Sequence, residues 1–225
     1  MTPLVRGLLI TLVGLFVVGA VLENFMQTPV TELLMLEPRL LTLWTPIQVL
    51  THVWVVPPVR GAVMSLLLSL LFMWLIVAPF EERYGKHRVI ELTVLATVCS
   101  AVPALLVGQL MPGFAGPLAG PQTITLCAMS AYAMLLPPHA EVSFFGLFQL
   151  KPQHLLLVVV GFSVLDFLTT RNAASLAADL GVIGGGIAFV RWWMQRPPPR
   201  KSRKQGKLRV IHGKDEGSGP KRWLN

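Results

Sequence analysis

The sequence predicts an all-α fold, a polytopic membrane bundle of six transmembrane helices. The first observation is composition: 53% of the 225 residues are hydrophobic, 13% are charged, and the mean hydropathy is +0.63. Such a chain is too apolar for an ordinary soluble domain. The second is a set of six apolar runs, each close to the roughly 20 residues that cross a bilayer and charged only at its ends. The third is a strongly basic carboxyl-terminal tail.

The longest connection between the six predicted spans follows the first. In chain order they are Leu4 to Leu22, Gly61 to Phe80, Val89 to Leu110, Gly120 to Leu136, His154 to Leu168 and Ala173 to Val190. The first run has a long apolar stretch and no small-x-small cleavage site before Glu23, so we interpret it as a retained helix rather than a signal peptide. Gly181 and Gly185, at four-residue spacing, predict that the last span packs closely on a neighbour.

Two long segments lie outside these spans. The outer segment 23–60 contains Trp44, Trp54 and several prolines, and it predicts short helices lying in the membrane interface, where indole rings are favoured. Residues 1–195 then form the membrane domain. The remaining residues, 196–225, are rich in Pro, Gly, Lys and Arg, a composition that cannot bury enough apolar surface to fold. We expect this tail to be disordered.

The distribution of basic residues predicts the orientation. From Arg191 onward there are 11 Lys or Arg against Asp215 and Glu216, a local charge of +9 in a chain whose net charge is +8. Basic residues near the ends of spans stay on the cytoplasmic side, so the tail is predicted to be cytoplasmic. An even number of spans brings the amino terminus to the same side. We therefore expect a multi-pass membrane protein with both termini in the cytoplasm, as in a bacterial inner membrane.

The same features limit the expected partners. The lipid bilayer is one, and anionic lipid headgroups should attract the basic tail. The tail lacks interleaved aromatic residues, so nucleic acid is not predicted as a partner. Cys99 and Cys127 lie in separate predicted spans and are expected to pack as small apolar residues. The sequence contains no zinc-spaced Cys/His cluster and no Gly-rich phosphate loop, so no cofactor or metal is predicted.

Four stretches of sequence resemble those of one known family. They are residues 44–54 (WTPIQVLTHVW), residues 80–85 (FEERYG, a Glu-x-x-x-Gly motif), Gly120 followed by Ala131-Tyr132-Ala133, and Ala178-Asp179-Leu180-Gly181. Together they resemble the rhomboid family of intramembrane serine proteases over roughly residues 40–190. The resemblance implies the six-span rhomboid fold with an aromatic-rich first outer loop.

The resemblance also implies a catalytic site, and this chain departs from it. The family needs a serine nucleophile on the fourth span, a histidine base on the sixth, and a His and an Asn from the second span at the oxyanion. Counted from the motifs, the serine position is Gln122, the histidine position is Asp179, and the oxyanion positions are Ser65 and Ser69. An amide is not a nucleophile, and a carboxylate lacks the near-neutral pKa of imidazole. We predict no catalytic residue and interpret the chain as a pseudoprotease.

The function implied is that of a non-catalytic rhomboid-like protein that binds transmembrane segments of client proteins, since rhomboid-like folds admit a partner helix between the second and fifth spans. Two alternatives stay open. One is an active rhomboid serine-type endopeptidase with an unorthodox catalytic set, for which Thr123 and Asp179 are the candidate groups. The other is a small transporter or proton-conducting protein centred on Asp179, because an ionisable side chain inside a span costs about 2.5 to 3.5 kcal/mol and is seldom there without a partner.

The two principal family positions also predict a contact. If Gln122 and Asp179 occupy the two halves of one former catalytic pair, their side chains should meet between the fourth and sixth spans. A glutamine amide offers two N–H donors, and a carboxylate in a partly dry cavity requires donors. We therefore expect a direct hydrogen bond between Gln122 and Asp179 that holds the two helices together.

Overall fold

The computed structural model describes residues 2–58, 61–136, 142–144, 148–150 and 152–194. Within these ranges the regular secondary structure is helical apart from one short pair of strands. The helices are α1 (Pro3–Met26), α2 (Val30–Leu34), α3 (Thr45–Thr51), α4 (Ala62–Phe72), α5 (Ala78–Tyr84), α6 (Lys86–Leu110), α7 (Gln122–Leu135), α8 (Pro152–Thr170) and α9 (Ala173–Ala188). Strands β1 (Val142–Phe144) and β2 (Phe148–Leu150) pair antiparallel between α7 and α8. The all-α prediction is therefore confirmed except for this hairpin, which the sequence analysis missed.

Four helical segments of the described chain are long and apolar enough to cross a membrane. They are Pro3–Met26, Ala62–Tyr84, Lys86–Leu110 and Ala173–Trp192, which correspond to the first, second, third and sixth predicted spans. The fourth and fifth correspond to shorter apolar helices, Gln122–Leu135 and Leu156–Thr170. The 14 residues of α7 extend only about 21 Å at 1.5 Å per residue. The count of six spans therefore remains a prediction. The basic tail, residues 196–225, lies outside the described residues.

The second span is one continuous helical segment with a wider middle. Helix α4 continues through a π-helical turn, Met73–Val77, into α5. It ends at Gly85, whose backbone (φ 86°, ψ 161°) lies in a region that only glycine adopts without strain. The Gly85 N–H donates to the carbonyl of Glu81 at 2.8 Å, which closes the last turn. This closure explains the spacing of the Glu-x-x-x-Gly motif.

The acidic residue of that motif holds the start of the first helix. Glu81 is 5% exposed, and its carboxylate accepts hydrogen bonds from the backbone N–H groups of Leu4 at 3.3 Å and Val5 at 2.9 Å. The first backbone N–H groups of a helix have no partner within the helix, and the N-terminal end of the helix dipole favours a negative charge. The carboxylate of Glu81 satisfies both requirements, so the second span fixes the amino-terminal end of α1.

The core lies where α6, α7 and α9 pack together with the second span. Its buried side chains include Phe80, Leu92, Ile124, Cys127, Ala131 and Val182. A methyl group added at Gly181 would collide with the carbonyl of Cys99 on α6, and one at Gly185 would lie 2.7 Å from the Cys99 sulfur. These close approaches confirm the packing predicted from the glycine spacing. Cys99 and Cys127 are free thiols.

The outer segment folds into short helices, as expected. Helices α2 and α3 are followed by a 3-10 turn, His52–Trp54. Leu43 and Trp44 are largely exposed, at 98% and 61%. Leu36 is buried and pairs through its backbone with Leu118 in the next outer loop. The segment is thus anchored to the bundle along one side and exposes apolar side chains on the other.

Candidate functional site

The start of α7 and the loop before it form one wall of a small polar cavity. Gly120 has φ +120°, which favours glycine, and its N–H donates to the carbonyl of His52 at 2.9 Å. Pro121 then precedes the first helical residue, Gln122. This turn sets Gln122 and Thr123 at the outer end of α7, next to the outer segment. A backbone contact between distant parts of the sequence therefore positions both side chains.

The cavity has a volume of about 60 Å³ and brings together residues from four parts of the chain. Its lining residues are His52, Pro117, Leu118, Ala119, Gln122, Thr123, Ser175 and Asp179. The outer segment, the loop before α7, α7 itself and α9 all contribute. The structure thus places Gln122 and Asp179, taken from two separate sequence motifs, on the wall of one cavity.

The predicted hydrogen bond between these two residues is wrong. The Gln122 Nε2 donates instead to the carbonyl of Ala119 at 3.1 Å. No hydrogen bond joins Gln122 to Asp179 in the part of the chain that the structure describes. The reason is local: the Ala119 carbonyl lies only three residues away, so the glutamine reaches it with little loss of chain entropy. The two side chains share a cavity without holding each other.

A second, wider cavity lies on the other side of Gln122. It has a volume of about 240 Å³ and is lined by Val56, Pro57, Gly61, Ala62, Ser65, Ala119, Gly120, Pro121 and Gln122. Ser65, on the first turn of α4, is exposed there. Ser69, one turn further along α4, is half-buried and lines neither cavity. Gln122 and Ala119 therefore separate a wide cavity beside α4 from the small cavity that contains Asp179.

His52 is a cavity residue that the sequence analysis did not include in the site. Its ring is buried, and Nδ1 lies 2.9 Å from the carbonyl of Val49 and 3.2 Å from that of Gln48. Because carbonyls only accept, Nδ1 carries the proton, and Nε2 lies 2.9 Å from the Ser100 hydroxyl, which is also 3.0 Å from the carbonyl of Thr97. Burial lowers the pKa of His52 below its ordinary value, which favours this neutral form. Only tertiary contact brings His52 to the cavity, so sequence spacing gave no signal.

Asp179 lies half-buried on α9. The hydroxyl of Ser163, on α8, is a hydrogen-bond partner of its carboxylate, and the carboxylate of Asp166 on the same helix lies nearby. The Ser163 hydroxyl also lies 3.3 Å from the carbonyl of Val159. The Ser175 hydroxyl, on the same helix as Asp179, donates to Asp166 at 3.4 Å. Asp179 therefore has one side-chain partner on α8, Ser163, and a second acid beside it.

The remaining hydroxyl of the small cavity is that of Thr123. Thr123 is 7% exposed, and its hydroxyl donates to the carbonyl of Gly120 at 3.4 Å. Both ring nitrogens of His52 are occupied by the outer segment and α6. Among the described residues of this cavity, the Ser175 hydroxyl is hydrogen-bonded to a carboxylate, that of Asp166. The Thr123 hydroxyl, which is the one next to Gln122, is hydrogen-bonded to neither an imidazole nor a carboxylate.

The loop over the small cavity is attached at three points. Leu118 pairs through its backbone with Leu36. The guanidinium of Arg39 donates to the carbonyl of Ala115. The Gly116 N–H donates to the Asn172 side chain at 2.9 Å. The same oxygen of Asn172 caps α9 by accepting from the Ser175 N–H at 3.2 Å. The roof of the cavity is thus fixed to both the outer segment and α9. Within the described residues, no group of three or more His, Cys, Asp or Glu could hold a metal ion.

Comparison with known proteins agrees with this architecture. No curated protein matches the chain. The family model of the Rhomboid domain matches residues 44–196, which is 153 of the 225 residues. The match begins in the aromatic-rich outer segment and extends through α9, and therefore includes both cavities. The chain belongs to the rhomboid family.

Proposed function

We propose that this rhomboid-family protein is non-catalytic and binds transmembrane segments of client proteins. The observation that carries the proposal is the replacement of all four family positions, by Gln122, Asp179, Ser65 and Ser69. A hydroxyl nucleophile requires a neighbouring base, and an amide cannot replace it. The assignment of these residues to the family positions rests on counting from the motifs. The shared cavity of Gln122 and Asp179 is consistent with it.

The hydrogen bonds of the cavity support the absence of catalysis. The alternative nucleophile, Thr123, donates to a backbone carbonyl, and the nearby imidazole of His52 has both nitrogens engaged elsewhere. A general base must lie within hydrogen-bond reach of the proton it abstracts. An unorthodox protease would therefore need His52 to leave Ser100 and turn toward α7. Such a movement would break the contacts that bury the ring.

The outer surfaces of α4 and α8 support the binding of a partner helix. Helix α8 packs on α7 and α9, and α4 packs on α7 and the π-helical turn that follows it. Each leaves apolar side chains exposed: Val63, Met64 and Leu67 on α4, and Leu157, Phe162 and Leu165 on α8. Lipid would cover these side chains, and so would a client segment. The preference for a client follows the family resemblance, in which a partner helix enters between these two spans.

Site-specific photo-crosslinking tests client binding. A photoreactive residue at Leu67 or Phe162 should crosslink to reconstituted single-span segments. The same residue at Ile10, an exposed apolar position on α1, is the matched control and should crosslink much less. Equal crosslinking at all three positions would indicate random encounters in lipid and would remove the support for a binding site between α4 and α8.

Each of the two other candidate functions is favoured by one observation. One small cavity is bordered by His52, Thr123 and Asp179, which are the groups that an unorthodox endopeptidase would use. Substitution of Thr123→Ala tests this function. Asp179 lies half-buried in an apolar helix, which is the observation that favours a transporter or proton-conducting function. Uptake into liposomes tests it. Neither candidate explains why the wide cavity opens beside α4, so the binding function is preferred.

The proposed topology has both termini in the cytoplasm, with six spans. It rests on the +9 charge from Arg191 onward and on the uncharged outer loop 111–119. Reporter fusions at Asn225 and between Glu81 and Arg88 should report the cytoplasm, and one at Gly113 the outer side. An outward Asn225 would require an odd number of spans. The basic tail is proposed to contact anionic headgroups.

A further inference from the structure

Helix α8 has a narrow buried face. Of the α8 residues whose side chains the structure describes, two are buried, Val159 at 3% exposure and Ser163 at 4%. Helix α7, by comparison, buries eight of its 14 residues. Lipid tails are as apolar as the side chains of a span, so spans are held together by close packing and by hydrogen bonds rather than by the hydrophobic effect. With so little buried packing, α8 depends strongly on its polar contacts.

Two serine–aspartate pairs supply polar contacts between α8 and α9. Ser163 on α8 is hydrogen-bonded to Asp179 on α9, and Ser175 on α9 donates to Asp166 on α8 at 3.4 Å. Each helix thus contributes one serine and one aspartate. These residues are three apart on α8 and four apart on α9, which are the spacings that place side chains on one face of a helix. The pairs therefore join the facing sides of the two helices at two levels.

The two pairs differ in their surroundings. Asp166 is exposed, and its pair with Ser175 lies close to the two-residue connection 171–172, where the chain itself keeps the helices together. Ser163 is buried and Asp179 half-buried, one turn farther from the connection. A hydrogen bond is electrostatically stronger where the local dielectric is low. The Ser163–Asp179 pair is therefore the stronger of the two ties.

We infer that Asp179 is a positioning residue, which holds α8 on α9 through Ser163 and so fixes the apolar face that α8 presents to a client. That face includes Phe162 and Leu165, which are exposed and lie within two residues of Ser163. A binding face that is fixed in advance loses less conformational entropy when a partner binds. The consequence for clients rests on the proposed function, whereas the attachment of α8 does not.

The test measures the position of α8 in the full chain, reconstituted in liposomes. Spin labels are introduced as non-natural amino acids at Leu157 on α8 and Val94 on α6, which are both exposed, so the native cysteines stay unchanged. Electron paramagnetic resonance then gives the distribution of distances between the two labels. The native chain should give one narrow distribution, because α8 is held in one position.

Two single variants should differ in a defined order. Ser163→Ala removes the partner of the Asp179 carboxylate and should raise the population with α8 displaced about 3- to 18-fold, which is the range for hydrogen bonds between spans. Asp179→Ala should raise it less, because the Ser163 hydroxyl still has the carbonyl of Val159 at 3.3 Å. The control Thr169→Ala removes an exposed hydroxyl that is bonded within α8, and it should leave the distribution unchanged.

The double variant separates a hydrogen-bonded pair from simple packing. When Ser163→Ala is combined with Asp179→Ala, no carboxylate is left without its partner. The displaced population should therefore return from the level of Ser163→Ala to that of Asp179→Ala alone. Independent losses of packing would instead add.

A second readout connects the position of α8 to client binding. Crosslinking of single-span segments from a photoreactive residue at Phe162 should fall in Ser163→Ala and recover in the double variant. An unchanged distance distribution in Ser163→Ala, or additive effects in the double variant, would overturn the inference and leave client binding intact. Displacement of α8 without a change in crosslinking would overturn its consequence for clients. Displacement of α8 in a protein whose native form crosslinks no segment would uphold the attachment and overturn the proposed function.

Discussion

Substitution of Glu81 should measure how strongly the second span holds the first helix. Glu81→Ala removes the acceptor for two backbone N–H groups, one buried at 2.9 Å from Val5 and one partly buried at 3.3 Å from Leu4. A hydrogen bond to a charged group contributes about 1.5 to 3 kcal/mol, and a weaker, partly solvated one about 0.5 to 1.5 kcal/mol. The free energy of unfolding should therefore fall by about 2 to 4 kcal/mol.

The assay is unfolding of the detergent-solubilised protein, followed by circular dichroism. Glu81→Gln keeps one acceptor oxygen, so its free energy of unfolding should fall less than that of the alanine variant. The neighbouring Glu82 is exposed, so Glu82→Ala should stay within about 0.5 kcal/mol of the native protein. A Glu81→Ala variant as stable as Glu82→Ala would refute the reasoning, because it would mean that the carboxylate does not fix α1.

Two further predictions concern His52 and the packing of α9. Because burial lowers the pKa of His52 below its ordinary value of 6.5, the unfolded chain binds the proton more readily. The free energy of unfolding should fall as the pH drops below about 6.5. His52→Gln should reduce this dependence on pH, whereas His87→Gln, at an exposed position, is the control and should not. Gly181→Ala should lower the free energy of unfolding by about 1 to 3 kcal/mol, because the added methyl group collides with α6. Gly184→Ala is the control and should not, because its methyl group meets no atom within 4 Å. Equal melting temperatures for the two alanine variants would contradict the packing.

The helices could be predicted because bilayer length and charge distribution leave few alternatives. The first predicted span, Leu4 to Leu22, falls within α1 (Pro3–Met26), and the second, Gly61 to Phe80, falls largely within Ala62–Tyr84. The predicted bounds were too short where polar residues continue a helix beyond the apolar run. The hairpin at 142–150 was missed because its strands are three residues each, too short for an alternating pattern to be distinguished.

The candidate site could be predicted only in part. Two motifs far apart in sequence assigned Gln122 and Asp179, and the structure brings both to one cavity. Their hydrogen-bond partners could not be predicted, because the choice between Ala119 and Asp179 depends on distances of a few ångströms. His52 was missed because its place in the cavity depends on the backbone bond to Gly120 and the contact with Ser100, neither of which follows from local sequence.

The measurement that tests the central claim most directly is an assay of proteolysis with the purified protein in liposomes. Several fluorogenic transmembrane substrates and a fluorophosphonate probe are used, with an active rhomboid protease as the positive control. Gln122 occupies the position at which the family carries its serine nucleophile, and an amide is not a nucleophile. We therefore expect neither cleavage nor labelling. Cleavage that disappears on Thr123→Ala or Asp179→Ala would contradict the account and identify the chain as a protease with an unorthodox catalytic set.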